Sequence, residues 1–229
     1  MPSGHVVMRA DPVLAAGIGV RRGRGWAVRA ASFRIGEPEH GNASLGIQIA
    51  HPADAAAIVD LLAGLARPAY GELRVLGHDM ATVRGRAAVR QRVGVARRTT
   101  RPLSAMRIRR LVEHAARLAG QRRYDRRALA ASILDRLSLM PWAEVPLRAA
   151  PDAVARRARL AAAAVHQPDL ILLDSLLDGL QPRDMTALAE AVRDLSRDSA
   201  ILVAGCDSLA LELACDEVIV LADGILVNA

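Results

Sequence analysis

The chain contains no lysine: all 31 basic residues among its 229 are arginine, and the formal net charge is +7. It is also poor in aromatic residues, with two tryptophans, two tyrosines and one phenylalanine. The lack of lysine excludes any site that contacts a phosphate through an ammonium group. Because 52% of the residues are hydrophobic and so few are aromatic, the core must be built from aliphatic side chains.

Other features are missing that would place the protein in a membrane or in an oxidising compartment. No apolar run approaches the roughly 20 residues that span a bilayer, and the N-terminus shows neither an apolar signal segment nor a small-residue cleavage site. The two cysteines, Cys206 and Cys215, have no metal-site or disulfide spacing. We therefore expect a cytosolic protein with two buried free thiols, long enough for one or two domains.

Strand and helix patterns alternate along the chain, which predicts an α/β fold with a parallel sheet and right-handed crossovers. The predicted strands are His5–Arg9, Trp26–Phe33, Leu45–Ala50, Gly71–Leu76, Val93–Ala96, Leu170–Asp174, Ala200–Ala204 and the hairpin Glu217–Ala222 with Ile225–Val227. The predicted helices are Ala55–Ala66, Ile108–Ala119, Arg126–Leu139, Ala153–His166, Asp184–Arg197 and Ser208–Ala214. Residues 97–148 form an arginine-rich helical insert. Its first helix has an apolar stripe of Ile108, Leu111, Val112, Ala115 and Leu118.

The segment 169–182 is the most informative motif. It reads Asp-Leu-Ile-Leu-Leu-Asp-Ser-Leu-Leu-Asp-Gly-Leu-Gln-Pro, an apolar strand that ends at Asp174 and runs into a turn. It resembles the Walker B strand and D-loop of ATP-binding cassette (ABC) ATPases. Five further segments agree in order and spacing: Leu61–Leu65, Arg67-Pro68, Gly71–Leu73, Leu76–Asp79 and the export-type Cys215–Val218.

The resemblance covers nearly the whole chain and implies a P-loop NTPase-like α/β fold. It implies a parallel core sheet, an N-terminal antiparallel β subdomain and a helical subdomain. The whole chain, 1–229, is then one cassette. Residues 1–96 and 149–229 form its core with the β subdomain, and residues 97–148 form its helical subdomain.

The resemblance also locates the positions that bind ATP in that family, and most of them differ here. Counting back from Gly64 places the phosphate loop at 49–56, where glycines, lysine and a hydroxyl normally bind phosphate and Mg²⁺. Pro52 removes a backbone donor there, and Asp54, Ala55 and Ala56 replace the second glycine, the lysine and the magnesium ligand. We expect Asp54 to cap a helix that begins at Ala55.

The remaining nucleotide positions follow the same trend. Arg98 replaces the Q-loop glutamine, Ser175 the catalytic glutamate, Gln181 the D-loop aspartate and Cys206 the switch histidine, while Asp174 is kept. Asp152 lies in the signature segment 150–154, which lacks the serine and both glycines. Like Asp54, it puts a carboxylate near a helix N-terminus that would otherwise attract phosphate. Residues 20–25 offer no aromatic ring for adenine.

These vestigial positions predict a pseudo-ATPase with no catalytic residues, no bound cofactor and no metal. The expected role is a structural or regulatory subunit of a membrane transport complex, in the cytoplasm on the inner face of the cell membrane. The expected partners are a membrane subunit and a second, intact cassette. The predicted docking surface consists of exposed arginines that flank the apolar stripe: Arg97, Arg98, Arg101, Arg107, Arg109 and Arg110.

Two alternatives remain open. One is a cassette that still binds or hydrolyses ATP with unusual ligands. The other is an arginine-rich binding module outside transport, directed at nucleic acid or anionic lipid. Nucleic acid is the less favoured ligand because the insert shows little aromatic interleaving for base stacking, and because Glu113, Asp125 and Asp135 sit among its arginines.

Overall fold

The computed structural model describes residues 11–36, 43–98 and 103–227. Its strands are β1 (Val13–Arg22), β2 (Gly25–Ile35), β3 (Ser44–Ile49), β4 (Tyr70–Val75), β5 (His78–Asp79), β6 (Val93–Arg97), β7 (Leu170–Asp174), β8 (Ala200–Gly205), β9 (Glu217–Ala222) and β10 (Ile225–Val227). Its helices are α1 (Pro52–Leu62), α2 (Val83–Arg90), α3 (Ile108–Leu118), α4 (Arg123–Arg136), α5 (Asp152–Ala164), α6 (Pro182–Leu195) and α7 (Ser208–Ala214). Short 3₁₀ turns at Met140–Trp142 and Leu147–Ala149 join α4 to α5. The predicted strand His5–Arg9 lies outside the described residues.

The ten strands form one sheet in the order β5-β4-β1-β2-β10-β9-β3-β8-β7-β6. Strands β9, β3, β8, β7 and β6 pair in parallel, whereas β1 pairs antiparallel with both β2 and β4. Every residue of β7 and β8 is buried, as expected for parallel strands covered on both faces. The prediction of an α/β fold with a parallel core sheet and an N-terminal antiparallel part is confirmed.

The antiparallel part contains a strand that the sequence pattern does not predict. Strand β1 is ten residues long, yet its buried and exposed residues do not alternate cleanly. Its pairing with β2 shifts register between Ala15 and Arg21, and Gly17 has a φ of 56°. Such bulges break the two-residue period from which a strand is recognised in a sequence. Helix α2, whose first turn is capped by the hydroxyl of Thr82, was not predicted either.

The core is aliphatic, as the composition predicts, and it lies on both faces of the sheet. On one face α1 packs Leu61 and Leu62 against buried residues of β1 to β3. On the other face α3, α4, α5 and α6 pack around Leu160. Within the described residues, no helix is both long and apolar enough to cross a lipid bilayer.

The predicted apolar stripe of α3 is correct except at its end. Ile108, Leu111 and Val112 are buried and Ala115 is partly buried, but Leu118 is 72% exposed. Leu118 is the last residue of α3, just before the turn at Gly120, so no further helical turn extends the packed surface. The buried position in this part of the helix is Ala116.

Candidate functional site

The candidate site lies where parallel strands end. In parallel pairing the carboxyl ends of neighbouring strands share one edge of the sheet, and ligands of open α/β sheets bind outside that edge. Here Arg97, at the end of β6, is in register with Asp174, at the end of β7, and Asp174 with Ala204 in β8. On the other side of β8, Gly205 is in register with Gln48 of β3. The residues that follow these strands therefore meet at one edge.

The connection from β3 to α1 differs from the prediction. Helix α1 begins at Pro52, three residues before Ala55, and His51 is its N-cap without a side-chain hydrogen bond. Proline suits the first helical position, where no backbone N–H is needed and φ is already helical. The prediction that Asp54 caps a helix beginning at Ala55 is therefore wrong. Asp54 lies inside the first turn, nearly buried, and its Oδ1 is 2.8 Å from Nε of Arg22 in β1.

Asp174 is buried and paired with arginine. Asp174 is the last residue of β7, and its Oδ2 lies 3.1 Å from Nη1 of Arg97. The other terminal nitrogen of Arg97 binds the carboxylate of Asp60 in α1. Burial raises the pKa of Asp174, while the positive charge of Arg97 opposes that shift. Arg97 thus joins β6, β7 and α1 at the sheet edge. Its side chain is partly buried, so the predicted exposure is wrong, while its role in docking stays a prediction.

The turn after β7 is tied to the end of β8 by Asp178. Its carboxylate accepts hydrogen bonds from the backbone N–H of Cys206 at 3.0 Å and of Asp207 at 3.4 Å. A Cβ on Gly205 would lie 2.6 Å from Oδ1 of Asp178, so this approach requires glycine at 205. Ser175 begins the turn in the left-handed region, with a φ of 52°. The sequence analysis did not identify Asp178 as a site residue. The signal that could have found it is a carboxylate that follows two leucines in the turn after β7.

Helix α5 is tied to the same turn through a buried arginine. Asp152 is the first residue of α5, one residue before the predicted start at Ala153, and its Oδ2 is 2.6 Å from Nη2 of Arg156. Arg156 is only 5% exposed, and its Nη1 also donates to the backbone carbonyl oxygens of Leu176 and Asp178, at 3.0 and 2.6 Å. This link has no specific signal in the sequence, because the partners of Arg156 are backbone atoms 20 and 22 residues away.

The other predicted positions surround these pairs. Ala55 is fully buried, and Ala56 and Cys206 are partly buried. The side chain of Arg98 is exposed, and its backbone N–H donates a hydrogen bond to the carbonyl oxygen of Asp174. Gln181 precedes α6 and makes no side-chain cap. Burial, followed by the charge of Asp178, raises the pKa of the Cys206 thiol.

The β-rich part next to this edge contains an aromatic contact. The guanidinium of Arg21 lies 4.2 Å from the centre of the Trp26 ring. Tyr70 meets the same ring edge-on, with the two ring centres 5.3 Å apart. Trp26 lies one residue after the segment 20–25, which has no aromatic residue that could stack on adenine. Its ring already contacts Arg21 and Tyr70.

Of the arginines predicted for partner binding, some are held by carboxylates. Glu144 binds both Arg107 and Arg109, at 3.1 and 2.7 Å, and Arg110 lies 3.3 Å from Glu113. Arg98, Arg107 and Arg110 are exposed. Arg101 lies outside the described residues.

Comparison with known proteins identifies the family. A family model described as "ABC transporter" matches residues 56–177, which is just over half of the chain. The chain belongs to the ABC transporter family. This cassette is 26% identical over 200 residues to the ABC transporter ATP-binding protein NatA of Bacillus subtilis, covering 86% of this chain and 79% of that one.

Other relatives are longer than this cassette. It is 26% identical over 171 residues to the methionine import ATP-binding protein MetN 2 of Burkholderia mallei, covering 73% of this chain but 43% of that protein. It is 33% identical over 140 residues to the daunorubicin resistance protein DrrA3 of Streptomyces coeruleorubidus, covering 60% of this chain and 43% of that one. The chain thus spans under half the length of these curated relatives.

Solved structures confirm the fold. The structure of cbiO1 from Clostridium perfringens, described as part of the ABC transporter complex cbiONQ, matches with a TM-score of 0.81 at 16% identity. That match covers 95% of this cassette and 87% of the other chain. A nucleotide-free ATP-binding cassette from an ABC transporter matches with a TM-score of 0.76 at 15% identity, covering 95% and 90% of the two chains.

Proposed function

We propose that this cassette is a catalytically inactive subunit with a structural or regulatory role in an ABC transport complex. The observation that supports this most directly is the pairing of Asp174 with Arg97. Mg²⁺ requires free oxygen ligands in a strict geometry. The Asp174 carboxylate instead has a guanidinium 3.1 Å away, which is also bound to Asp60. A second cation at this carboxylate would be repelled by the first.

A magnesium triphosphate fits the surrounding residues poorly. A phosphate loop binds its ligand through successive backbone N–H groups, a lysine and a hydroxyl. At the start of α1 Pro52 has no N–H, Ala55 and Ala56 have no polar side chain, and Asp54 adds negative charge. At the start of α5 the first residue is again an acid, Asp152. Each of these carboxylates is paired with an arginine, Asp54 with Arg22 and Asp152 with Arg156, so the helix N-termini carry internal ion pairs where a phosphate would bind.

The residues at the catalytic positions cannot supply the chemistry either. Ser175 and Cys206 stand where the resemblance places the general base and the switch histidine. A serine hydroxyl has no carboxylate with which to orient a water. The raised pKa of Cys206 keeps that thiol neutral at physiological pH. Losing a positioned electrostatic or basic group commonly reduces turnover by orders of magnitude.

The proposed setting is the cytoplasmic face of the cell membrane, with a membrane subunit and a second, intact cassette as partners. The similarity to cbiO1, itself described as part of a transporter complex, supports the membrane subunit. The helical subdomain at 97–148 supplies the proposed docking surface. Arg98, Arg107 and Arg110 are its exposed members among the described residues. A cassette that still binds ATP weakly is the second candidate, supported by the retention of Asp174.

Affinity purification from membranes tests the proposal. We expect the wild-type chain to co-purify with a polytopic membrane protein and an intact cassette. Reversing the charge of Arg98, Arg107 and Arg110 to glutamate should release it without unfolding. The control reverses Arg67, Arg84 and Arg183, which are also exposed, lie outside residues 97–148 and change the net charge equally. A wild-type chain that purifies from the soluble fraction without either partner would contradict the proposed role.

A further inference from the structure

A strongly basic cleft lies between α3 and α4, formed by residues of these two helices and the turn before α3. The cavity has a volume of about 320 Å³. Five arginines line it, Arg110, Arg117, Arg123, Arg126 and Arg127, together with His114 and a single carboxylate, Glu113. None of these residues belongs to the sheet edge described above, so the cleft is a separate feature of the cassette.

Most of this positive charge has no acidic counterpart. Arg110 lies 3.3 Å from Glu113. Arg117 contacts Nδ1 of His114 at 3.3 Å, and Arg126 donates to the carbonyl oxygen of Gln121 at 2.7 Å, so neither contact involves a carboxylate. Across the described residues, no carboxylate lies within ion-pair distance of Arg117, Arg126 or the two remaining arginines. Five guanidinium groups therefore face one carboxylate among the described residues of the lining.

The start of α4 adds to the imbalance. Arg122 is the N-cap of α4 and makes no side-chain capping bond, and Arg123 is the first helical residue. The N-terminal end of a helix carries partial positive charge, so basic side chains there are unfavourable and anions are favourable. Asp125 is the one acidic residue of the first turn, and it does not line the cleft. An anion in the cleft would be stabilised by the helix N-terminus as well as by the arginines.

We propose that this cleft binds a small anion that carries two or more phosphate groups. Guanidinium groups bind phosphate through paired, planar N–H donors, and five arginines line this one cleft. The volume is at the small end of ligand pockets, which suits an oligophosphate and not a bulky ligand. Met106 is the one apolar side chain among the described residues of the lining, and these residues offer no aromatic platform for a base and no apolar channel for an acyl chain.

Calorimetric titration of the whole chain with inorganic tripolyphosphate, without divalent cations, tests this proposal. We expect saturable binding of one tripolyphosphate per chain, and weaker binding of orthophosphate because it spans fewer arginines. Replacing Arg123 and Arg127 with glutamine should weaken the affinity for tripolyphosphate by about tenfold or more, because each lost guanidinium removes charge-assisted hydrogen bonds. Without ligand the variant should be at least as stable as the wild type, since the substitutions remove repulsion.

The matched control replaces Arg84 and Arg183, exposed residues of α2 and α6, with glutamine. It changes the net charge equally and should leave the affinity within about twofold, since distant surface charges are largely screened at 0.15 M salt. Equal weakening in both variants would show that binding follows net charge alone, and would overturn the proposal. Absent or unsaturable binding, or full affinity in the cleft variant, would overturn it too. Binding to anionic vesicles without any binding of tripolyphosphate would assign the cleft to a membrane surface instead.

Discussion

Replacing Arg97 with alanine is expected to destabilise the cassette by about 2 kcal/mol. Hydrogen bonds to a charged group contribute about 1.5–3 kcal/mol, and removing one partner of a fully buried ion pair costs about 3–5 kcal/mol. The Asp174 side chain is 11% exposed, but that of Arg97 is 29% exposed, so solvent screens part of the loss. For a domain of this size the change corresponds to a fall in Tm of about 4–8 °C.

The loss should depend on pH with a defined sign. Burial already raises the pKa of Asp174, and Arg97 opposes that shift, so the variant should raise this pKa further. A carboxyl whose folded-state pKa is raised binds more protons in the folded state, which makes stability fall as pH rises through that pKa. The difference in unfolding free energy between variant and wild type should therefore be largest near neutral pH and shrink as the solution is acidified.

The assay is denaturant unfolding, followed by tryptophan fluorescence at several pH values, in a double-mutant cycle with Asp174→Asn. The asparagine keeps the shape of the side chain and removes its charge, so the double variant should recover part of the stability lost in Arg97→Ala. A coupling energy of about 1–2 kcal/mol is expected between contacting residues. Additive effects, or a loss that does not change with pH, would refute the assignment of Arg97 as the counter-charge of Asp174.

Three further substitutions test the structure. Asp178→Asn should lower the pKa of Cys206 by removing a neighbouring charge, and so increase its alkylation rate at pH 8; Cys215, whose pKa burial raises to about 12, is the internal control. A Cys206 rate unchanged from the wild type would contradict the contact. Leu118→Ser should change the unfolding free energy by less than about 0.5 kcal/mol, whereas Leu111→Ala should cost about 2–5 kcal/mol; similar losses would contradict their assigned burial.

The sequence predicted the elements whose local pattern is strong. Strand β7 was predicted to the residue because the apolar run Leu170–Leu173 ends abruptly at Asp174. The start of α1 was misplaced because Pro52 was assigned to the phosphate loop, although its fixed φ and missing N–H suit the first helical position. Strand β1 was missed because its bulges near Gly17 disrupt the alternation.

Only part of the candidate site could be predicted from the sequence. The sequence indicates which phosphate-binding side chains are absent, but it does not show what the remaining charges contact. The pairing of Arg97 with Asp174 depends on the register between β6 and β7, which lie 77 residues apart in the chain. The bonds from Arg156 to backbone carbonyls leave no mark in the composition of either segment. The sequence prediction therefore placed Arg97 with the exposed arginines that flank the apolar stripe.

The measurement that tests the central claim most directly is magnesium-dependent ATP hydrolysis by the purified chain, with the Asp174→Ala variant prepared in parallel as a control for contaminating enzymes. We expect both proteins to release phosphate at the buffer background. We also expect millimolar Mg-ATP to leave the wild-type melting temperature unchanged, since saturation at a hundred times Kd would add about 2.7 kcal/mol. Magnesium-dependent turnover by the wild type that disappears in Asp174→Ala would show that the cassette is a working ATPase.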